Sequence, residues 1–335
     1  MISAPIFGGL IAATAFATDT QHDALAPAGP QADAIGHLWS LMLAVSTLVW
    51  LAVMLAVVVA IVRTPHRRTA EELAPARDER PVRRSVYAAV AISTVLLIVL
   101  FVASVMTDRA LARLPTQGAV HIHLIGHQWW WEAVYEHLDP ARRFSTANEL
   151  HIPVGRPVSL TLDSDDVIHS VWAPNLHGKK DLIPGHTARI DWRADKPGLY
   201  RAPCAEFCGY QHALMTLLVV AEPQSQYDAW EAAQRRSAEE PTDPQAKRGR
   251  DVFVATSCAM CHAIQGTDAH GQHAPDLTHL VSRETIAAGT LQNTPAIRAA
   301  WITDPQNFKP GANMPPHALS GEDFNALLAY LATLK

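Results

Sequence analysis

Apolar positions along this chain follow three different patterns. In the first third they form long runs: His37 to Val62 holds 26 residues without a charge, and Val86 to Met106 holds another 21. As helices these would span about 39 and 31 Å, enough to cross a hydrocarbon core of about 30 Å. A buried core helix rarely stays uncharged for so long, so the pattern predicts a transmembrane hairpin. After Leu114-Pro115 the runs shorten. Ala119 to Ile125, Trp129 to Tyr135, Val158 to Leu162, Val167 to Trp172, Ala188 to Trp192 and Leu217 to Val220 read as strands separated by Pro and Gly, which predicts a sandwich or barrel. From Lys247 the period becomes helical again. Gly249 to Thr256 precedes a cysteine pair, and Gly321 to Leu334 places Phe324, Leu327, Leu328 and Leu331 on one face.

The stretches between these regions set the expected boundaries. Met1 to Ala17 is apolar, and Ala15-Phe16-Ala17 fits a small-x-small cleavage site, but no Lys or Arg precedes it. A cleaved signal peptide and a membrane-dipping N-terminus both fit. Asp19 to Ala34, with Pro27 and Pro30, reads as an exposed connector; Gln224 to Ser237 reads as a short amphipathic helix, and Ala238 to Ala246 as a linker. The expected division is a signal and connector at 1–34, a transmembrane hairpin at 35–110, a β domain at 115–222, a helix and linker at 223–246 and an all-α domain at 247–335.

Charge orients the hairpin. Arg63 to Arg84 carries seven arginines against four acids, while the whole chain is at −5. Positive loops stay in the cytoplasm, so the N-terminus and everything after Asp108 are expected outside. The acidic balance gives no footprint for nucleic acid. Only four cysteines occur, all in two compact motifs, which suits ligands or attachment points better than a disulfide framework.

The first motif is Cys204 to Met215, C-A-E-F-C-G-Y-Q-H-A-L-M. Two thiols, an imidazole and a thioether suit copper; zinc has little use for the methionine, and a disulfide needs neither His212 nor Met215. Two thiolates shared by two coppers delocalise one electron and keep the geometry similar in both redox states. Such a cluster needs one terminal nitrogen per metal. His212 offers one, and His169 in V-I-H-S-V-W is the best candidate for the other, with Met215 as a weak axial ligand and a carbonyl near Glu206 opposite it. A Cys204–Cys208 disulfide is the rival reading. His121, His123, His127 and His151 read as ordinary hydrogen-bonded groups.

The second motif is C-A-M-C-H, Cys258 to His262. Two thiols at that spacing reach the two vinyl groups of one haem, and the adjacent His262 is placed to bind the iron. A zinc half-site would need a second Cys or His pair, which the sequence does not supply. Met260 sits too near to fold back as a distal ligand.

Three stretches carry a family resemblance: G-H-Q-W-W-W from Gly126, D-V-I-H-S-V-W-A-P from Asp166 leading to G-K-K-D-L-I-P-G, and the Cys204 to Met215 motif. With the hairpin ahead of them, residues 30 to 222 resemble subunit II of the haem-copper oxidases, that is, cytochrome c oxidase subunit II with a dinuclear copper A centre. The resemblance implies a cupredoxin-like barrel. It implies Cys204 and Cys208 as bridging thiolates, His169 and His212 as terminal ligands, Met215 as the thioether and the Glu206 carbonyl as the last copper ligand. The Glu206 side chain resembles the family's magnesium ligand at the subunit I boundary, although a plain solvated acid also fits. Trp129 corresponds to the aromatic residue through which electrons enter from an external cytochrome c; Trp129 to Trp131 as barrel core or interfacial belt is the rival. K-P-G-A-N-M-P-P resembles the methionine loop of class I cytochromes c, which implies Met314 as the distal haem ligand, with His273, His279 and His317 as competitors. In the same resemblance the Pro275 carbonyl holds the outer nitrogen of His262, and Trp301 packs on the haem or serves as ordinary core.

The whole implies a multidomain, membrane-anchored electron-input subunit in a bacterial inner membrane. It would pass electrons from a soluble or membrane cytochrome c through haem c and copper A to the oxygen-reducing site of subunit I, with subunit III as a further partner, coupled to proton translocation. The hairpin offers no histidine cluster for an oxygen-reducing centre. Two departures stand out. Arg83-Arg84-Ser85-Val86 lies where many subunit II chains carry a Glu, associated with proton entry, and Val171 replaces a common Phe. A nitric oxide reductase subunit and a tethered copper chaperone or redox carrier are the alternatives; a chaperone has no use for a fused haem, and quinol oxidases lack these copper ligands.

Overall fold

The computed structural model describes residues 20–63 and 79–335. The expected cleavage segment and most of the arginine-rich loop lie outside the described residues. Helix α1 runs Pro30–Arg63 and α2 runs Arg80–Leu111, each several residues longer than its uncharged run. Proline in the first turn explains both starts, since its missing N–H costs nothing there. Their most apolar windows reach mean hydropathies of 2.8 and 2.7 with none of the window buried, so both are long and apolar enough to cross a membrane. Large side chains such as Trp50 and Phe101 point outward, as expected of helices whose solvent is hydrocarbon.

Ten strands follow: β1 Val120–His127, β2 Trp130–Glu136, β3 Phe144–Ala147, β4 Glu149–Pro153, β5 Val158–Ser164, β6 His169–Val171, β7 Lys180–Leu182, β8 Ala188–Trp192, β9 Gly198–Pro203 and β10 Thr216–Glu222. They form a five-stranded sheet in the order β3-β2-β1-β5-β8 and a three-stranded sheet β4-β10-β9, with β6 and β7 as a separate hairpin. Alternation on β1 and β5 turns Ile122, Leu124, Leu160 and Leu162 inward against Trp131, Leu150 and Trp192, all essentially without exposure. This is an all-β cupredoxin-like sandwich.

The expected exposed connector is instead bound down. Gln21 donates to Leu199 O and accepts from Arg201 N, both at 2.8 Å, extending the sheet beyond its β9 edge; Ala28 and Ala32 are small enough to bury beside it. Edge strands attract such pairing because their backbone groups are otherwise open.

Helix α3 (Gln224–Gln234) lays Trp230 against Tyr135, Phe144 and His151, closing one end of the sandwich. The C-terminal helical part comprises α4 Pro244–Ala255, α5 Cys258–Cys261, a two-residue ladder of β11 Thr285–Ile286 with β12 Leu291–Gln292, then α6 Pro295–Thr303, α7 Pro305–Phe308 and α8 Gly321–Leu331. Asp243 caps α4 by accepting from Ala246 N, and Ser320 caps α8 by accepting from Asp323 N. The two helices cross at Gly249, where a Cβ would stand 1.9 Å from the Ala326 carbonyl. Only glycine permits that approach, and it lets Phe253 pack edge-on to Tyr330.

Candidate metal and haem sites

The copper-type residues come from three places. His169 opens β6, Cys204 follows β9, and Cys208, His212 and Met215 lie on the loop into β10. The fold brings them together: Cys204 Sγ is 3.8 Å from Cys208 Sγ and 3.8 Å from His169 Nδ1, Cys208 Sγ is 3.7 Å from His212 Nδ1 and 3.9 Å from Met215 Sδ, and the Glu206 carbonyl is 3.2 Å from Cys204 Sγ. Spacings of that size between soft donors fit ligands arranged around metal rather than a disulfide, whose sulfurs would be bonded at about 2.05 Å. His169, Cys204 and Cys208 are buried and form a group able to hold a metal ion. The hydrogen bond from Cys208 holds the Cys204 thiol well below the usual thiol range, while that same bond and burial push the Cys208 thiol up. One proton therefore leaves the pair readily and the second resists, and a cation is what would remove it.

Asp166 and Gly126 stand behind His169, and sequence reasoning gave neither a role. Asp166 Oδ1 lies 2.8 Å from His169 Nε2, which fixes the proton on that nitrogen and leaves Nδ1 facing Cys204. Burial depresses the His169 pKa, but hydrogen bonds with Cys204 and Asp166 outweigh it and the net shift is upward. At Gly126 a Cβ would stand 2.7 Å from His169 Cδ2, so the ring fits only against glycine. Three of the remaining strand histidines are locally satisfied, His123 pairing with Asp163 at 2.8 Å, His127 sitting 3.4 Å from both Glu132 and Asp165, and His151 bonding Glu222 at 3.0 Å, while His121 is exposed on β1. The Glu206 carboxylate and Phe207 point to the outside of the loop.

The second site is a cavity of about 440 Å³ lined by Cys258, Cys261, His262 and Met314, with Trp301 on its wall. His262 Nδ1 donates to the Pro275 carbonyl at 2.7 Å, leaving Nε2 for an iron. Burial lowers the His262 pKa, so the ring is the neutral form a metal requires. Arg283 also lines the cavity, and its Nε is buried without a partner, a cation awaiting an anionic group such as a haem propionate. These residues fit a covalently held haem. Of the competing distal ligands, His279 is engaged at both nitrogens by the carbonyls of Lys335 and Gln234. His273 and His317 line the cavity with Met314.

The haem-type cavity is also lined by Gln128, Trp129 and Trp130 of the β domain. Trp129 Nε1 and Gln128 Nε2 both donate to the Cys208 carbonyl, at 2.8 and 2.7 Å. The face around Trp129 is thus in contact with the chain's own helical domain, and Asn313, next to Met314, donates to Gln128 O at 2.8 Å.

A two-helix membrane-type anchor, a cupredoxin-like domain with a copper-type ligand set and a helical domain with a haem-attachment pair define a membrane-anchored redox protein. The family described as cytochrome c oxidase subunit II, periplasmic domain, matches residues 138–222, and the cytochrome c family matches residues 246–335. Cytochrome c oxidase subunit 2 of Alkalihalophilus pseudofirmus is 36% identical over 323 residues, covering 93% of this chain and 90% of that protein. The subunit 2 of Bacillus sp. strain PS3 is 34% identical over 264 residues, 73% of this chain and 72% of that one. A crystal structure of the periplasmic domain of subunit II of cytochrome oxidase from Bradyrhizobium japonicum aligns over 35% of this chain and 93% of its own, at 24% identity and a TM-score of 0.33. The chain belongs to the cytochrome c oxidase subunit 2 family, and is a subunit of an oxidoreductase that associates with other oxidase subunits such as subunit I.

Proposed function

We propose that the chain is the electron-input subunit of a terminal oxidase, taking electrons from cytochrome c and delivering them to the oxygen-reducing site of subunit I, with proton translocation coupled to that reduction. When bound, haem c and dinuclear copper A supply the one-electron chemistry. Cys258 and Cys261 would hold the haem covalently, His262 and Met314 would bind its iron, and the Pro275 carbonyl fixes the His262 ring. Cys204, Cys208, His169, His212, Met215 and the Glu206 carbonyl would hold the copper, with the two thiolates as the ligands both metals could share. The exposed Glu206 carboxylate is left for magnesium at the subunit I boundary. The arginine-rich loop supports a bacterial inner-membrane location with both redox domains on the periplasmic side, and subunit III is a further partner.

The observation that carries this reading is the single cavity shared by Cys258, His262, Met314 and Trp129, with Trp129 bonded to the Cys208 carbonyl. It supports Trp129 as the entry to the copper pair, with the fused domain as the immediate donor. The test is purification of the complex from native membranes. Two coppers and one covalent haem in this chain, with oxygen consumption driven by reduced cytochrome c, are expected; zinc in the Cys204 loop, or consumption of nitric oxide but not oxygen, would overturn it.

A further inference from the structure

Lys309 lies between α7 and Met314, and its side chain is 3% exposed. Among the described residues no carboxylate lies within ion-pair distance of it. Its ammonium instead faces three backbone carbonyls: Leu214 at 2.9 Å, Ala287 at 3.2 Å and Trp129 at 3.5 Å. An ammonium has three protons to donate, and here each has an acceptor. Two acceptors belong to the β domain, one in the copper loop just before Met215 and one at Trp129; the third belongs to the helical domain. Burying an ammonium without a counter-ion is costly, and an apolar side chain of similar length would fill the space without that cost. Packing alone therefore does not account for lysine at this position.

The segment opposite Lys309 is strained. Ala287 and Ala288 both adopt left-handed φ, 54° and 57°, a region in which an L-residue's Cβ crowds the following carbonyl oxygen. Ala288 O reaches across the boundary to accept from Thr216 N at 2.9 Å, while Ala287 O accepts from Lys309 within the helical domain. Further bonds flank them. Thr290 Oγ1 donates to Leu214 O at 3.1 Å, Gln211 Nε2 donates to Pro310 O, and Thr285 N donates to the buried carboxylate of Glu149 at 3.0 Å. Strain of this kind persists only where surrounding contacts enforce it, and the contacts here cross the domain boundary.

We propose that Lys309 is a positioning residue that latches the helical domain onto the copper loop, holding the cavity of His262 and Met314 in register with Trp129 and Cys208. The proposal rests on the haem and copper reading above. Lys309 stands on the wall of the haem-type cavity but is a ligand of neither centre; it sets the rate at which an electron crosses between them by keeping the two domains docked.

The test uses the full oxidase complex. A photoexcited ruthenium tris-bipyridine flash reduces the haem by one electron, and absorbance follows the electron onto copper at rising glycerol concentration. Haem and copper content and both potentials are measured on the same samples. In the wild type the transfer is expected to be independent of viscosity. In Lys309→Met, with both centres loaded and the rate compared at the driving force given by the measured potentials, it is expected to slow by about tenfold or more and to become viscosity-dependent, while hydrogen exchange accelerates at the Thr216 and Thr285 amides. An unchanged rate and unchanged exchange in Lys309→Met overturn the latch. So does a wild-type rate that falls with viscosity, which decides the matter even if the variant does not fold. A wild type with both centres loaded and no transfer between them would instead remove the functional reading beneath it.

Discussion

The indole N–H of Trp129 donates to the carbonyl oxygen of Cys208 at 2.8 Å, and the same indole lines the cavity that holds Cys258, His262 and Met314. One side chain therefore touches the copper loop and the haem pocket. Gln128 Nε2 also donates to that carbonyl, at 2.7 Å, so the oxygen keeps a partner if the indole is lost. Trp129→Phe should leave copper content unchanged, cost about 1 kcal/mol for the lost hydrogen bond and slow haem-to-copper transfer. Metal analysis, thermal unfolding and flash kinetics on one preparation would check this; loss of copper would show that Trp129 serves the ligand loop instead.

Gly126→Ala should displace His169. The added Cβ would stand 2.7 Å from His169 Cδ2, and the backbone that carries it is held in register by its neighbours in β1, β2 and β5. The ring has to move. Overpacking of this kind costs about 1–3 kcal/mol, and the thiolate-to-copper absorption of the reconstituted variant should fall well below that of the wild type.

Asp166→Asn removes the carboxylate that orders the His169 ring at 2.8 Å. Loss of such a supporting partner weakens metal binding by about 10–100-fold. Competition against a copper chelator measures it directly. An affinity equal to wild type would mean that packing alone orients the ring.

His151 gives a stability prediction with a definite pH sign. Burial lowers its pKa, but hydrogen bonds to Glu149 and Glu222 more than compensate, so the net shift is upward. A raised folded-state pKa contributes stability that is fully present below the ordinary histidine value of about 6.5 and is lost as pH rises through the folded value. His151→Gln should therefore destabilise by about 3 kcal/mol at pH 5.5, where it leaves two carboxylates without their cation, and by clearly less at pH 9. Denaturant midpoints at the two pH values check this, and an equal loss at both would assign the effect to packing against Trp230.

Much of this was legible in the sequence because both sites are built from short motifs. C-A-M-C-H and the Cys204 to Met215 loop each gather their ligands within a few residues, and uncharged length alone marked the two helices. Helix starts were placed late because Pro30 and Pro81 precede the uncharged runs, and charge rather than apolarity marks those first turns. Strands β3, β4, β7 and β9 went unread. Phe144–Ala147 and Lys180–Leu182 are too short to show alternation, and Glu149 in β4 is a buried acid whose partner, the Thr285 amide, lies in another domain. Lys309 and Asp166 were inside quoted motifs yet had no assigned role. A lysine among Phe308, Pro310 and Gly311 reads as a solvated loop residue until the fold sets three carbonyls around it. Sequence spacing shows which residues are near each other along the chain, not which domain will cover them.

The most direct measurement mixes the oxidised complex, anaerobically, with one equivalent of reduced cytochrome c and records the haem and thiolate-to-copper absorptions together. The account predicts that the haem held by Cys258, Cys261 and His262 is reduced first and is reoxidised as the copper band of the Cys204 loop bleaches. A copper band that bleaches before any haem signal would contradict it, as would a haem that stays reduced while the copper stays oxidised.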